Sequence, residues 1–290
     1  MLSSLICKMI KSSFGIAAFW CLMGCNHLFY HPSALTFTNP EEQGIAYTKH
    51  RIASTDVSEL SAWWLHPDIA SSKKTLIIQL HGNAENMSSH FLFLSWLVPE
   101  GFDLLAFDYR GYGSSSAIAP TQKGLIEDTL SVLKWAQAQE ALASYDIFVV
   151  AQSLGGAVLF PALTRLEEKH RIKGVVIDSS FGSYRGVVRH KLAQMWLTWP
   201  LQYPLSYLVS DFELPQEAAQ SLQIPALFFH SPRDPVVPYA SGRELFEGLK
   251  SEQKTFVDVD IPGHTTAFPH EESRFRKVLL DFLSQYGTRP

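Results

Sequence analysis

The chain has 290 residues, 46% of them hydrophobic and 18% charged, enough apolar content to bury one substantial core. Its net charge of −4 excludes an electrostatic case for nucleic-acid binding. With no internal repeat, like-charge run or low-complexity tract in the sequence, a solenoid and a charged interaction tail are excluded as well.

The N-terminus reads as an export signal. Lys8 and Lys11 precede the apolar run SFGIAAFWCLMG (13–24), shorter than the roughly 20 residues a transmembrane helix needs. Its end, Leu-Met-Gly-Cys at 22–25, resembles the lipobox of bacterial lipoproteins, where the signal is cut before the cysteine and the thiol receives a diacylglyceryl group. The resemblance implies a signal peptide over 1–24 and a membrane anchor at Cys25. All three cysteines, Cys7, Cys21 and Cys25, lie at or before the cut, so the mature chain would keep one thiol and no disulfide partner for it. Two or three acyl chains anchor stably where one binds only marginally. Asn26 replaces the aspartate associated with inner-membrane retention, which points to the outer membrane, facing the periplasm. Residues 25–44, rich in Pro, Ser, Thr and Asn, read as a tether, with the folded domain over 45–290.

Two edge strands open that domain, in IAYTKHRIAST (45–55) and SELSAWWLHP (58–67), ended by Pro67 and a polar stretch. TLIIQL (75–80) is a continuous apolar, β-branched run, the mark of a strand covered on both faces. DLLAFDY (103–109), DIFVVAQ (146–152), KGVVIDS (173–179) and PALFFH (225–230) repeat the type, and KTFVDVD (254–260) is a less apolar last strand. Between them, SSHFLFLSWLVPE (88–100), TQKGLIEDTLSVLKWAQAQ (121–139), SGRELFEGLK (241–250) and ESRFRKVLLDFLSQY (272–286) space apolar residues at three and four, as amphipathic helices do. The alternation predicts an α/β fold, a mostly parallel sheet of about eight strands with helices on both faces. In such sheets ligands bind beyond the carboxyl ends of the strands.

The chemistry-bearing residues fall there. Ser153 follows DIFVVAQ directly and opens the helical stretch LGGAVLFPALTRL, with small Ala151 and Gly155 on either side. A serine in that place is either an ordinary helix N-cap or the nucleophile of a sharp strand-turn-helix elbow. A serine nucleophile needs a base, and the base needs an orienting carboxylate. Asp234 follows PALFFH, and His264 follows the last strand, in the chain order Ser, Asp, His that the elbow motif expects. Asp178 is the competing acid and His270 the competing base, whereas His81 and His230 read as structural. HGNAEN (81–86) follows the first buried strand, where a second oxyanion donor belongs; the hole is assigned to the backbone N–H groups of Leu154 and Asn83, with Ala84 as the alternative to Asn83.

HGNAEN, FDYRGYGSSS, AQSLGG, RDPVVP and PGH occur in the order of the α/β-hydrolase motifs, and the resemblance spans nearly all of 45–286. HGNAEN with DYRGYGSS is similar to the subgroup that includes fungal and animal depalmitoylases. The resemblance implies an α/β-hydrolase fold, Ser153, Asp234 and His264 as a catalytic triad, and a structural role for Asp108, Arg110 and Gly111. It also implies a short helical cap after the sixth strand, about 181–212, where aromatic Trp196 and Trp199 either wall an acyl pocket or pack on the sheet. Ala151 departs from the commoner glycine before the nucleophile, and HSPRD from the usual His-Gly before the acid. The expected activity is cleavage of a carboxylic ester or thioester, of a small molecule or lipid, through an acyl-enzyme, with no metal or organic cofactor. The same residues would also serve a peptidase, an amidase or an acyltransferase, and the fold without catalysis would serve an envelope binding protein.

Overall fold

In the computed structural model residues 29–54 and 58–287 are described; the expected signal peptide and Cys25 lie outside them. Eight strands make one sheet: β1 (Tyr47–Ala53), β2 (Glu59–Leu65), β3 (Thr75–Leu80), β4 (Asp103–Phe107), β5 (Asp146–Gln152), β6 (Ile172–Asp178), β7 (Ala226–His230) and β8 (Lys254–Asp258). Across the sheet they run β8-β7-β6-β5-β3-β4-β2-β1. Antiparallel pairing is confined to β1–β2 and β2–β4; every other neighbour pair is parallel.

The parallel centre follows from composition. Every residue of β3, β4, β5 and β7 is buried, because helices cover both faces and leave no solvated side on which polar residues could alternate. The helices are α1 (Met87–His90), α2 (Gln122–Ala138), α3 (Leu154–Arg165), α4 (Tyr184–Ala193), α5 (Gln202–Ser206), α6 (Pro215–Ala219), α7 (Tyr239–Gly248) and α8 (Arg274–Tyr286). Two apolar clusters result, one on each face. In one, Leu125, Val132 and Leu133 of α2 and Val158 and Leu159 of α3 pack with Leu76, Ile78 and Val149. In the other, Phe275, Leu279 and Phe282 of α8 pack with Ile77, Val150 and Phe229.

Two expectations are corrected. SSHFLFLSWLVPE does not make one long helix: α1 stops at His90 and 3₁₀ turns follow at Phe91–Phe93 and Ser95–Leu97. The fully buried residues there, Phe91, Leu94 and Leu97, recur every third position, which is the period of a 3₁₀ helix. From Phe29 onward the expected tether is also not free. His31 and Pro32 pair in parallel with Ala84 and Glu85, Asn86 Nδ2 donates to the Ser33 and Leu35 carbonyls, and Ser88 Oγ accepts from the Phe37 N–H. Its partners lie some fifty residues on, so a polar local composition could not announce them.

Candidate active site

Ser153 occupies the N-cap position of α3 but does not cap it. Its side chain makes no cap hydrogen bond, whereas Thr121, Ser183 and Ser273 each accept one from the helix they precede. Its backbone sits at φ 52° and ψ −113°, a conformation non-glycine residues rarely hold and one that persists only where the surroundings impose it. Those surroundings are specific: the Ser153 N–H donates to the Asp178 carbonyl at 2.8 Å, and the Ser153 carbonyl accepts from Ser180 Oγ at 2.8 Å. The turn also needs Gly155, where a Cβ would lie 2.4 Å from the Leu80 carbonyl oxygen of β3.

Asp234 and His264 meet. His264 Nδ1 lies 2.7 Å from Asp234 Oδ2, and Asp234 Oδ1 accepts the N–H groups of Val236 at 2.7 Å and Val237 at 3.0 Å. Burial by itself would raise this carboxyl's pKa; the hydrogen bond and attraction of His264, with the two amides, outweigh it and hold the group below the ordinary carboxylate value. The loop after His264 is fastened beside the elbow: the Thr265 N–H donates to Ser179 Oγ at 3.2 Å, next to the Asp178 that holds the Ser153 amide.

Asp178, the competing acid, is fully buried, and burial pushes its carboxyl up to about 7. It holds Ser179 Oγ at 3.2 Å, and His264 bonds to Asp234 instead. His270 is exposed. His81 and His230 are buried, and burial lowers both, His81 to about 3, so they stay neutral. Asp108 and Arg110 are structural anchors. Asp108 accepts the Met87 N–H at 2.6 Å and abuts Gly113, which has no room for a Cβ, while Arg110 pairs with buried Asp128 at 2.7 Å.

Ser153, Leu154 and Asn83 line a cavity of about 480 Å³, a volume within the usual range of small-molecule sites. Leu154 is the first residue of α3, so its N–H has no partner within the helix, and the helix dipole favours negative charge there. Asn83 is locked: Tyr112 Oη donates to both its carbonyl and its Oδ1 at 3.0 Å, and its side chain donates to the Phe29 carbonyl. Ala84, the alternative donor, is exposed, paired with His31 of residues 29–37, which form a strap along this loop, and does not line the cavity. The remaining wall is mostly apolar, with Val187, Leu192, Leu205 and Leu208 from the segment after β6, and carries two polar side chains, Lys191 and His31.

Trp196 and Trp199 are not brought to this cavity. They are 86% and 60% exposed and pack neither on the sheet nor in the pocket, because the aliphatic residues of α4 and α5 take the inner face of the cap. The sequence reading missed three neighbours of the site. Phe29 and His31 line the cavity from the strap, and His90 lies beside Gly82, whose Cβ position would be 3.4 Å from His90 Cε1 and 3.7 Å from Ser153 Cβ. No local pattern marked them, since each arrives through tertiary packing.

Sheet order, elbow and strand-end loops define a class of protein, and comparison with known families agrees. Residues 71–214 match the family model described as serine aminopeptidase, S33, and residues 206–290 the model described as TAP-like protein. The chain belongs to the α/β-hydrolase superfamily and is a hydrolase. It is 26% identical to the protein YfhR of Salmonella typhi over 88% of this chain and 86% of that one. It is 23% identical to the mouse lysophosphatidylserine lipase ABHD12, over 88% of this chain and 71% of the relative. Among solved structures it is similar to the esterase Pf2001 of Pyrococcus furiosus, with TM-score 0.74, 20% identity, and 90% and 99% of the two chains covered. At that identity the likeness is one of fold.

Proposed function

We propose that the protein is a serine hydrolase that cleaves an acyl ester or thioester of a lipid or small molecule, held at the cell envelope by a lipid on Cys25. Ser153 Oγ attacks the acyl carbonyl carbon while His264 takes its proton, and Asp234 holds the imidazole in the required tautomer. The N–H groups of Asn83 and Leu154 receive the developing oxyanion. His264 then returns the proton to the leaving oxygen or sulfur, and the acyl-enzyme forms. Water, deprotonated by the same histidine, attacks it and releases the acid and the free serine.

The observation that carries this reading is the strained, uncapping Ser153 lining a mostly apolar cavity. The mostly apolar lining favours an acyl chain, and among the described residues it includes no Asp or Glu to receive the protonated amino terminus of an aminopeptidase substrate. A lipid substrate also agrees with the activity named for the mouse lysophosphatidylserine lipase relative. Ser153→Ala should lower kcat on a p-nitrophenyl ester on the order of 10⁶-fold and abolish fluorophosphonate labelling, with circular dichroism unchanged. Undiminished turnover overturns the assignment.

A further inference from the structure

We infer that the outer face of the cap is a membrane-docking surface that sets the cavity mouth on an anionic lipid bilayer. Trp196, Leu197, Trp199, Tyr203, Tyr207 and Phe212 each leave 60% or more of their surface exposed, all within one seventeen-residue segment. Single exposed apolar side chains are ordinary, but a cluster of this kind marks a surface that is covered in use. The inner side of the same segment lines the active cavity through Leu205, Leu208 and Val209.

The composition names the covering partner. Trp and Tyr beside Arg and Lys is the mixture that settles at a bilayer interface, rings among the headgroups and cations toward the phosphates. Over residues 181–212 three Lys and Arg stand against one acid, Asp211; Lys191 lines the cavity, and Arg185 and Arg189 lie against the exposed rings, a local excess of positive charge in a chain of net charge −4. The cations are interleaved with the rings: the Arg185 guanidinium lies 5.0 Å from the Tyr207 ring centroid and that of Arg189 5.2 Å from the Tyr203 ring centroid. No helix among the described residues is long and apolar enough to cross a membrane, so the cap would lie on the bilayer rather than span it.

The path of the chain supplies a second, independent argument, which rests on the lipid-anchor reading proposed above. Phe29 lines the active cavity and also a neighbouring one bounded by Leu208, Val209 and Phe212. Cys25 precedes it by four residues, a length that spans at most ~14 Å even when fully extended. Acyl chains on Cys25 would therefore enter the membrane within that reach of Phe29, which shares the neighbouring cavity with Phe212 of the aromatic face. A lipid substrate could then pass from the bilayer into the cavity with little of its chain crossing water.

The test uses the full chain, purified in detergent and reconstituted on phosphatidylcholine–phosphatidylglycerol vesicles with brominated acyl chains, with tryptophan fluorescence as the readout. Wild type should be quenched, the Trp196→Phe/Trp199→Phe variant should lose that quenched component, and both should turn over a soluble p-nitrophenyl ester at the same rate. Equal quenching in the two proteins, or none in either, overturns the proposal. So does a concentration-dependent blue shift of the same tryptophans without lipid, which would assign the face to a second copy of the chain. Ser153→Ala should be quenched like wild type, which separates docking from the hydrolase reading. The mass of the Cys25 peptide reads the anchor independently of both.

Discussion

Asp234 and Asp178 lie beyond and at the carboxyl ends of the neighbouring strands β7 and β6, and their surroundings drive them in opposite directions. Asp234 meets His264 and two backbone amides and stays below the ordinary carboxylate value, whereas burial lifts Asp178 to about 7. A carboxylate that must stabilise a transient imidazolium has to be ionised, so the first can serve and the second is held for structure. Asp234→Asn should lower kcat on an ester about 10⁴-fold, because the amide favours the wrong histidine tautomer. Asp178→Asn should keep activity within about tenfold of wild type, since the hydrogen bond of His264 goes to Asp234 and only a through-space attraction to Asp178 is lost. Stopped-flow acylation rates of the two variants check this, and a reversed order would exchange the two roles.

At the scale of elements, the site depends on how closely α3 approaches β3. Gly155 has no space for a Cβ against the Leu80 carbonyl, so the first turn of α3 presses on the strand, and the Leu154 amide beside Ser153 is placed by that contact. Gly155→Ala should cost about 1–3 kcal/mol of stability through overpacking, a fall in Tm of roughly 2–12 °C by calorimetry. The ester kcat should fall more than KM rises, because the displaced donor acts on the transition state. An unchanged Tm would show that the helix can back away freely. The elbow was legible in the sequence because a β-rich run, Ser153 and small flanking residues are contiguous. The 3₁₀ path of 91–97 was not, since spacings of three serve both kinds of helix and only packing against the sheet chose between them.

Over the whole molecule, the buried ionisable groups set the dependence of stability on pH. Burial raises Asp108 and Asp178 from 3.8 to about 7, so across that window the folded state keeps protons that the unfolded chain has lost. Their contribution is full below 3.8 and is lost as pH rises to about 7. Burial lowers His81 from 6.5 to about 3, and that group acts with the opposite sign between those values. Comparing wild type with Asp178→Asn cancels the His81 and Asp108 parts. The Tm of the variant relative to wild type should therefore climb between about pH 4 and pH 8, and parallel curves would show that Asp178 ionises freely in the fold.

The α/β class, the strand positions and the residues at the strand ends were readable from the chain alone. Burial on both faces forces continuous apolar strands, and a strand-turn-helix elbow forces small residues around Ser153, so both leave contiguous traces. Tertiary structure decided what joins distant segments. It set His264 on Asp234 rather than Asp178, and it laid residues 29–37 along the loop of Asn83. It also turned Trp196 and Trp199 outward while aliphatic residues took the cavity wall. Such choices are made by the shape of the space left between packed elements, which no local run of residues encodes.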